Sequence, residues 1–158
     1  MLGEVLNTLI LVGIISSWNV RGLNKASKHK EVGHFCRSNA LSLVCFLETR
    51  VKENKCSGVL NKVRRGWDIL NNYSQHLNGR IQITWDPYVW NVIAISMCDQ
   101  AILCEVYHLL GNFSFHVGFV YTLNSGVERR RPWNWLKQHK ILSSPWIFMG
   151  GLQCGSFL

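Results

Sequence analysis

Asn19, Glu48, Tyr121 and the segment Gly150, Gly151, Leu152, Gln153 each stand just past an apolar run that reads as a β-strand. An amide, a carboxylate and a phenol at the carboxyl ends of such strands would line one crevice, which is where open α/β sheets bind their ligands. A lone glutamate after a buried strand is ordinarily a solvated strand exit, so the joint pattern says more than any member. Taken singly, Tyr121 reads equally as an aromatic strand end packing on Leu123 or Trp133, and Asn19 as a loop residue capping backbone groups.

These positions need strands to hold them. Residues 10–19 form a continuous apolar run with a polar tip, the pattern of a central strand covered on both faces. After a loop at 21–26, Ser27 can cap a helix whose apolar positions Val32, Phe35 and Cys36 fall on one side. A second uninterrupted run spans 41–47, and a second helix places Cys56, Val59, Leu60 and Val63 on one stripe before Gly66 ends it. Strand, helix, strand, helix predicts a sheet with helices against one face.

From Trp67 the pattern changes to short runs rich in Ile, Val, Trp, Tyr and Phe, separated by turn signals. Strands are predicted at 67–73, 80–85, 90–96, 102–107 and 113–120. In the last, Phe113, Phe115, Val117 and Phe119 alternate with Ser114, His116 and Gly118, which predicts one well-buried face. A helix is predicted over 128–137, and a strand over 146–149 after Pro145. His76, His108, His116 and His139 read as surface or strand-face residues.

The 158 residues, 47% hydrophobic and 16% charged, fit one globular domain. Seventeen Lys and Arg against nine Asp and Glu give a formal charge of +8, which attracts polyanions. Nucleic acid leads as a partner, beside a merely basic soluble protein and, more weakly, an acidic membrane surface. The six cysteines show no metal-ligand spacing and read as small buried hydrophobes, since a disulfide framework would need a secretory context. Residues 1–13 read as a leader of uncertain structure, too short in its apolar part to span a bilayer, with a weak secretory signal as the alternative.

The run Ser17, Trp18, Asn19, Val20, Arg21, Gly22, Leu23, Asn24 resembles the opening motif of the endonuclease domain of plant non-LTR (LINE-type) retrotransposons, within the endonuclease/exonuclease/phosphatase superfamily. Leu47, Glu48, Thr49, Arg50 resembles its second motif. Gly79, Arg80, Ile81 with Trp85, Asp86, Pro87, then Phe119, Val120, Tyr121 with Glu128, Arg129, Arg130, continue the similarity in order. The resemblance implies an α/β (α+β) fold like that of deoxyribonuclease I: four layers, with two mixed sheets flanked by helices. It also implies a hydrolase that cleaves phosphodiester bonds with Mg²⁺ or Mn²⁺, acting on DNA in the nucleus, with no membrane partner. Glu48 then corresponds to the metal-binding carboxylate, Asn19 to an amide organising metal and phosphate, and Tyr121 to a tyrosine beside the scissile phosphate. Arg21, Asn24 and Arg80 would contact nucleic acid. Mg²⁺ prefers oxygen ligands and is often held by one or two carboxylates plus substrate phosphate.

The sequence departs from that pattern where a Gly-Asp-Phe-Asn motif belongs. Gly151 stands at the position of the Asp that acts on the attacking water, and Gln153 at that of the Asn. The remaining strands, a later Asp and a terminal Ser-Asp-His motif are absent from residues 14–158, which are therefore expected to form an incomplete domain. The second sheet is accordingly expected to be incomplete, leaving an apolar patch on the first and with it marginal stability, aggregation or dependence on a covering partner. The resulting expectation is a truncated, catalytically inactive remnant, a pseudoenzyme in which Mg²⁺ binding is doubtful. The alternatives are a basic nucleic-acid binding module, using Lys25, Lys28, Lys30, Lys52, Arg64, Arg65 and Arg129 to Arg131, and a phosphatase of the same superfamily.

Overall fold

In the computed structural model, which describes residues 13–123, 125–139 and 145–151, the strand β2 (Leu41–Leu47) has all seven residues buried. Its uninterrupted apolar run has that cause: Val44 and Phe46 face two helices, while Leu43, Cys45 and Leu47 face a second sheet. Around β2 lie β1 (Ile14–Asn19), α1 (Ala26–Ser38), α2 (Glu53–Val63), β3 (Asp68–Asn71) and β4 (Ile81–Trp85). The first sheet has the order β1-β2-β4-β3, with β1 parallel to β2 and the other pairs antiparallel.

The second sheet has the order β5-β6-β7-β8, built from β5 (Trp90–Met97), β6 (Ala101–His108), β7 (Phe113–Tyr121) and β8 (Trp146–Gly151). Its first three strands meander antiparallel, and β8 pairs parallel to β7 after the helix α3 (Arg131–His139). Ile81, Ile83, Ile102, Cys104, Val117 and Phe119, all fully buried, interlock between the two sheets. Val32, Cys36, Val59 and Leu60 pack α1 and α2 on the outer face of the first sheet, and Leu136 packs α3 on Ala101, Leu103 and Val120 of the second. The layers are therefore helices, sheet, sheet, helix.

Several sequence expectations are corrected. Among the described residues the second sheet has four strands and packs on the inner face of the first, so the expected apolar patch is not found there. The exposed apolar side chains of the edge strand β8 are Ile147 and Phe148 instead, at 45% and 43%. Both faces of β7 are covered towards its end, because α3 lies over Gly118 and Val120 while Val117 and Phe119 face the first sheet. Ser27 does not cap α1: Lys25 takes that place and gives no side-chain bond. Phe35 falls off the buried stripe and meets the Trp18 ring at 4.8 Å in a tilted arrangement, while His29 supplies the inward contact with Nε2 at 2.7 Å from the Leu23 carbonyl. The third helix begins at Arg131, not 128, since the 125–130 segment is a turn in which Ser125 and Glu128 bond each other. Strand β8 runs on to Gly151 rather than ending at 149.

The first apolar run does not make a central strand covered on both faces: among the described residues β1 lies at the edge of its sheet, and each of its residues keeps some exposure. The other expectations hold more closely. The stripe of Cys56, Val59, Leu60 and Val63 on α2 is buried as read. Cys36, Cys45, Cys56, Cys98 and Cys104 are free thiols, and burial pushes Cys104 up to about 12. His108 and His116 are strand-face residues but buried ones; His108 Nδ1 accepts the Gly111 N–H at 2.7 Å. Residues 1–12, which hold the leader and the start of the first apolar run, and Cys154 lie outside the described residues. No helix among the described residues is long and apolar enough to cross a membrane.

Candidate functional site

Asn19 is the last residue of β1 and pairs with Leu47, the last of β2. It has the same parity as Ile15, which packs between the sheets, so it stands on the inter-sheet side. Its Oδ1 accepts the Arg21 N–H at 3.2 Å. Beyond the strand ends the two loops run side by side, with Gly22 and Leu23 donating to the Glu48 and Thr49 carbonyls at 2.8 and 2.7 Å.

Strand alternation from Leu47 would send Glu48 towards the helices. The backbone of Glu48 is instead left-handed, with φ of 54°, an arrangement that costs a non-glycine residue roughly 1–2 kcal/mol. That kink brings its carboxylate to the inter-sheet side, where the Tyr121 hydroxyl donates to Oε1 at 2.5 Å. Tyr121 ends β7 with the parity of Val117 and Phe119, so it arrives from the opposite sheet. Burial pushes its phenol up to about 12; the hydrogen bond to Glu48 and that carboxylate's charge add to the rise, and Arg80 and Arg50 oppose it.

Arg80 lies just before β4 and holds its guanidinium 5.4 Å from the centre of the Tyr121 ring. Its Nη1 is buried and has no hydrogen-bond partner among the described residues. Glu48, Arg50, Lys52, Asn78, Arg80 and Tyr121 line a cleft of about 450 Å³, with three cations facing one carboxylate. Arg50, also left-handed at φ 55°, lines a neighbouring groove of about 360 Å³ together with Arg21, Asn24, Lys25 and Lys28. Asn24 is fixed there by donating to the Arg50 carbonyl at 2.8 Å.

Gly151 pairs with Tyr121 across β7 and β8 and shares the parity of Met149, which packs between the sheets. The neighbouring Gly150 is held close: an added Cβ would come 2.4 Å from the Val120 carbonyl oxygen. Position 151 therefore adjoins the cleft and brings no functional group to it. Leu152 and Gln153 lie outside the described residues.

The described residues do not by themselves fit a protein-held divalent cation. Glu48 is the one carboxylate lining the cleft, its Oε1 is engaged by a phenol, and no group of three His, Cys, Asp or Glu is gathered anywhere among the described residues. The unpaired guanidinium nitrogen and the surplus of cations fit an anion. Glu48, Tyr121 and Arg80 thus share one cleft, Asn19 adjoins Glu48 through strand pairing, and Arg21 and Asn24 fall in the adjoining groove. Of the basic residues read as phosphate contacts, Lys25, Lys28 and Lys52 line these two spaces, while Arg64 is stacked over Trp67 at 4.3 Å. Asn78 went unnoticed in the sequence, although an Asn-Gly pair marks the turn that carries it.

No protein-family model matches this chain, nor does any curated protein sequence. Solved structures share its fold. The endonuclease domain of TRAS1, a telomere-specific non-LTR retrotransposon, superposes with a TM-score of 0.64 at 12% identity, over 90% of this chain and 59% of that one. An endonuclease/exonuclease/phosphatase family protein from Bacteroides thetaiotaomicron gives 0.63 at 12% identity, over 86% and 61%. The human Nocturnin catalytic domain with bound sulfate gives 0.61 at 12% identity, over 89% and 64%. The chain spans about three-fifths of the length of these structures.

Proposed function

We propose that this chain is a remnant of a retrotransposon endonuclease domain of the endonuclease/exonuclease/phosphatase superfamily, one that retains an anion-binding cleft and lacks turnover. The observation that carries the reading is the Glu48 to Tyr121 bond between strand ends of two sheets, with a glycine paired to Tyr121 where a carboxylate is needed. Arg50, Lys52 and Arg80 would hold a phosphodiester in the cleft, and Tyr121 would stand beside it as a neutral phenol whose hydroxyl donates to Glu48. Gly151 can neither accept a proton nor position a nucleophile. General-base assistance contributes about 10²- to 10⁴-fold, and its loss alone brings hydrolysis towards background. The metal of intact relatives, Mg²⁺ or Mn²⁺, would supply charge stabilisation there; one phenol-bound carboxylate is a poor holder for it here.

Plasmid nicking tests the reading. With Mg²⁺ or Mn²⁺ supplied, the chain is expected to leave supercoiled DNA intact. Robust nicking that Glu48→Ala abolishes would overturn the proposal.

A second reading, a non-enzymatic nucleic-acid binding module, draws on the groove in which Arg21, Lys25, Lys28 and Arg50 converge without a carboxylate among the lining residues. It is compatible with the first, since a phosphate site without turnover is a binding site. Affinity that falls steeply with salt supports it, and salt-insensitive binding removes it. A partner covering this domain would engage the edge of β8 that no described strand pairs, where Ile147 and Phe148 are exposed.

A further inference from the structure

Helix α3 and the turn residue before it carry a polar stripe that the cleft does not use. Arg130, Asn134 and Gln138 follow at intervals of four, Arg131 and Trp135 repeat that interval one residue over, and the Asn134 N–H bonds the Arg130 carbonyl in helical fashion. Pro132 and Leu136 take the buried side of the helix. The stripe lines two cavities, of about 260 and 530 Å³, that share Arg131 and Asn134 and so form one groove along the helix.

The facing wall is the β5–β6 turn, Cys98, Asp99 and Gln100. Gln100 is 1% exposed, and neither its amide nitrogen nor its amide oxygen has a hydrogen-bond partner among the described residues. Unpaired buried amides are rare in folded proteins, and this one puts an unused donor and acceptor in a residue of the groove wall. Asp99, the one carboxylate lining either cavity among the described residues, lies 3.7 Å from an exposed Arg131, a long contact that leaves most of that guanidinium to solvent. Trp135 already accepts a flat partner, His139, at 4.5 Å and 29°. The Gln100 carbonyl takes the Tyr121 N–H at 2.8 Å, so the groove and the candidate cleft flank the same end of β7.

We propose that this groove holds a nucleotide of single-stranded nucleic acid, with phosphate against Arg130 and Arg131 and the base beside Trp135 and the amides of Gln100, Asn134 and Gln138. Cations that track a backbone, next to an aromatic ring and paired donors and acceptors, are the chemistry that recognises unstacked bases. A duplex keeps its base faces stacked and offers none to Trp135. The inference rests on the reading of the cleft as a remnant phosphodiester site, and it extends the strand's path beyond that cleft.

Anisotropy of a labelled, mixed-sequence single strand, and of the same sequence as duplex, measured on the full chain across a salt series in EDTA, tests the proposal. Single strand is expected to bind more tightly than duplex. Arg130→Glu combined with Arg131→Glu should lower affinity about tenfold or more and make the salt slope shallower by about two contacts. Trp135→Ala should lower affinity about tenfold and Trp135→Phe much less, while Gln138→Ala weakens binding without changing the slope. Positions 130, 131 and 138 are exposed, so those variants report binding rather than folding. Unchanged affinity and slope in the double reversal, equal affinity for duplex, or displacement by polyglutamate as effective as by unlabelled strand would overturn the proposal. Such a failure would leave the inactive-remnant reading standing, whereas nicking by the wild-type chain would remove that reading and leave this groove intact.

Discussion

The Tyr121 hydroxyl donates to Glu48 Oε1 at 2.5 Å, and by that bond the last residue of β7 in one sheet meets the first residue beyond β2 in the other. The pair is 73 residues apart in sequence. Each sheet brings its own strand end to a shared rim, and the cations of the 48–52 and 78–80 loops close around it.

That bond has a pH signature. Burial first, and then the Glu48 carboxylate, raise the Tyr121 phenol from its ordinary value of about 10 up to about 12. The protonated phenol is favoured more in the folded state than in the unfolded one. Its contribution is therefore complete below about pH 10 and is lost as pH climbs through about 12. Thermal midpoints of the wild type and Tyr121→Phe should differ at neutral pH and converge across that alkaline window. A constant gap would contradict this.

Gly79 tests how the loop before Arg80 is set. It adopts φ of +46°, and an added Cβ would come 2.2 Å from the buried Tyr73 ring. The Tyr73 hydroxyl donates to the Val51 carbonyl and accepts from Gln82 Nε2 at 2.6 Å, so the ring cannot retreat without breaking both bonds. Gly79→Ala should destabilise by about 1–3 kcal/mol through overpacking, read as a lower denaturation midpoint. Gly126→Ala, where no atom lies within 4 Å of the added Cβ, is the comparison and should change little.

Core and surface phenylalanines should separate cleanly. Phe119 is fully buried between the sheets, and Phe119→Ala should cost about 3–5 kcal/mol. Phe35 on α1 is 43% exposed, and Phe35→Ala should cost about 1 kcal/mol or less. Equal losses in urea titrations would place Phe35 back in the core.

Much of this layout was legible in the sequence. The uninterrupted run at 41–47 was legible as a strand, although the coverage on both faces read for residues 10–19 belongs to β2 instead, and the residues at its end and at the ends of β1, β7 and β8 were legible as a rim. Other features escaped for physical reasons. Phe35 fits a helical stripe by spacing, yet His29 takes the inward place because a carbonyl six residues back gives its ring a partner. Asn72 falls inside what reads as a strand over 67–73, yet it lies just past the end of β3 and is fully buried, since its amide bonds the Cys98 and Asp99 carbonyls 26 and 27 residues away. Arg50 and Lys52 come to the cleft through the left-handed backbone at Glu48 and Arg50, which residue type does not disclose. The closure of the second sheet over the first depends on β5 to β8 pairing in order, a property of tertiary register rather than of any one strand.

The convergence of two sheets at one rim is tested most directly by a double-mutant cycle on stability, with Glu48→Ala, Tyr121→Phe and the combined variant in urea titrations. A hydrogen bond from Tyr121 to Glu48 predicts a coupling energy of at least about 0.5 kcal/mol. Losses that add within about 0.3 kcal/mol would mean that the two side chains do not meet, and the site as described here would not exist.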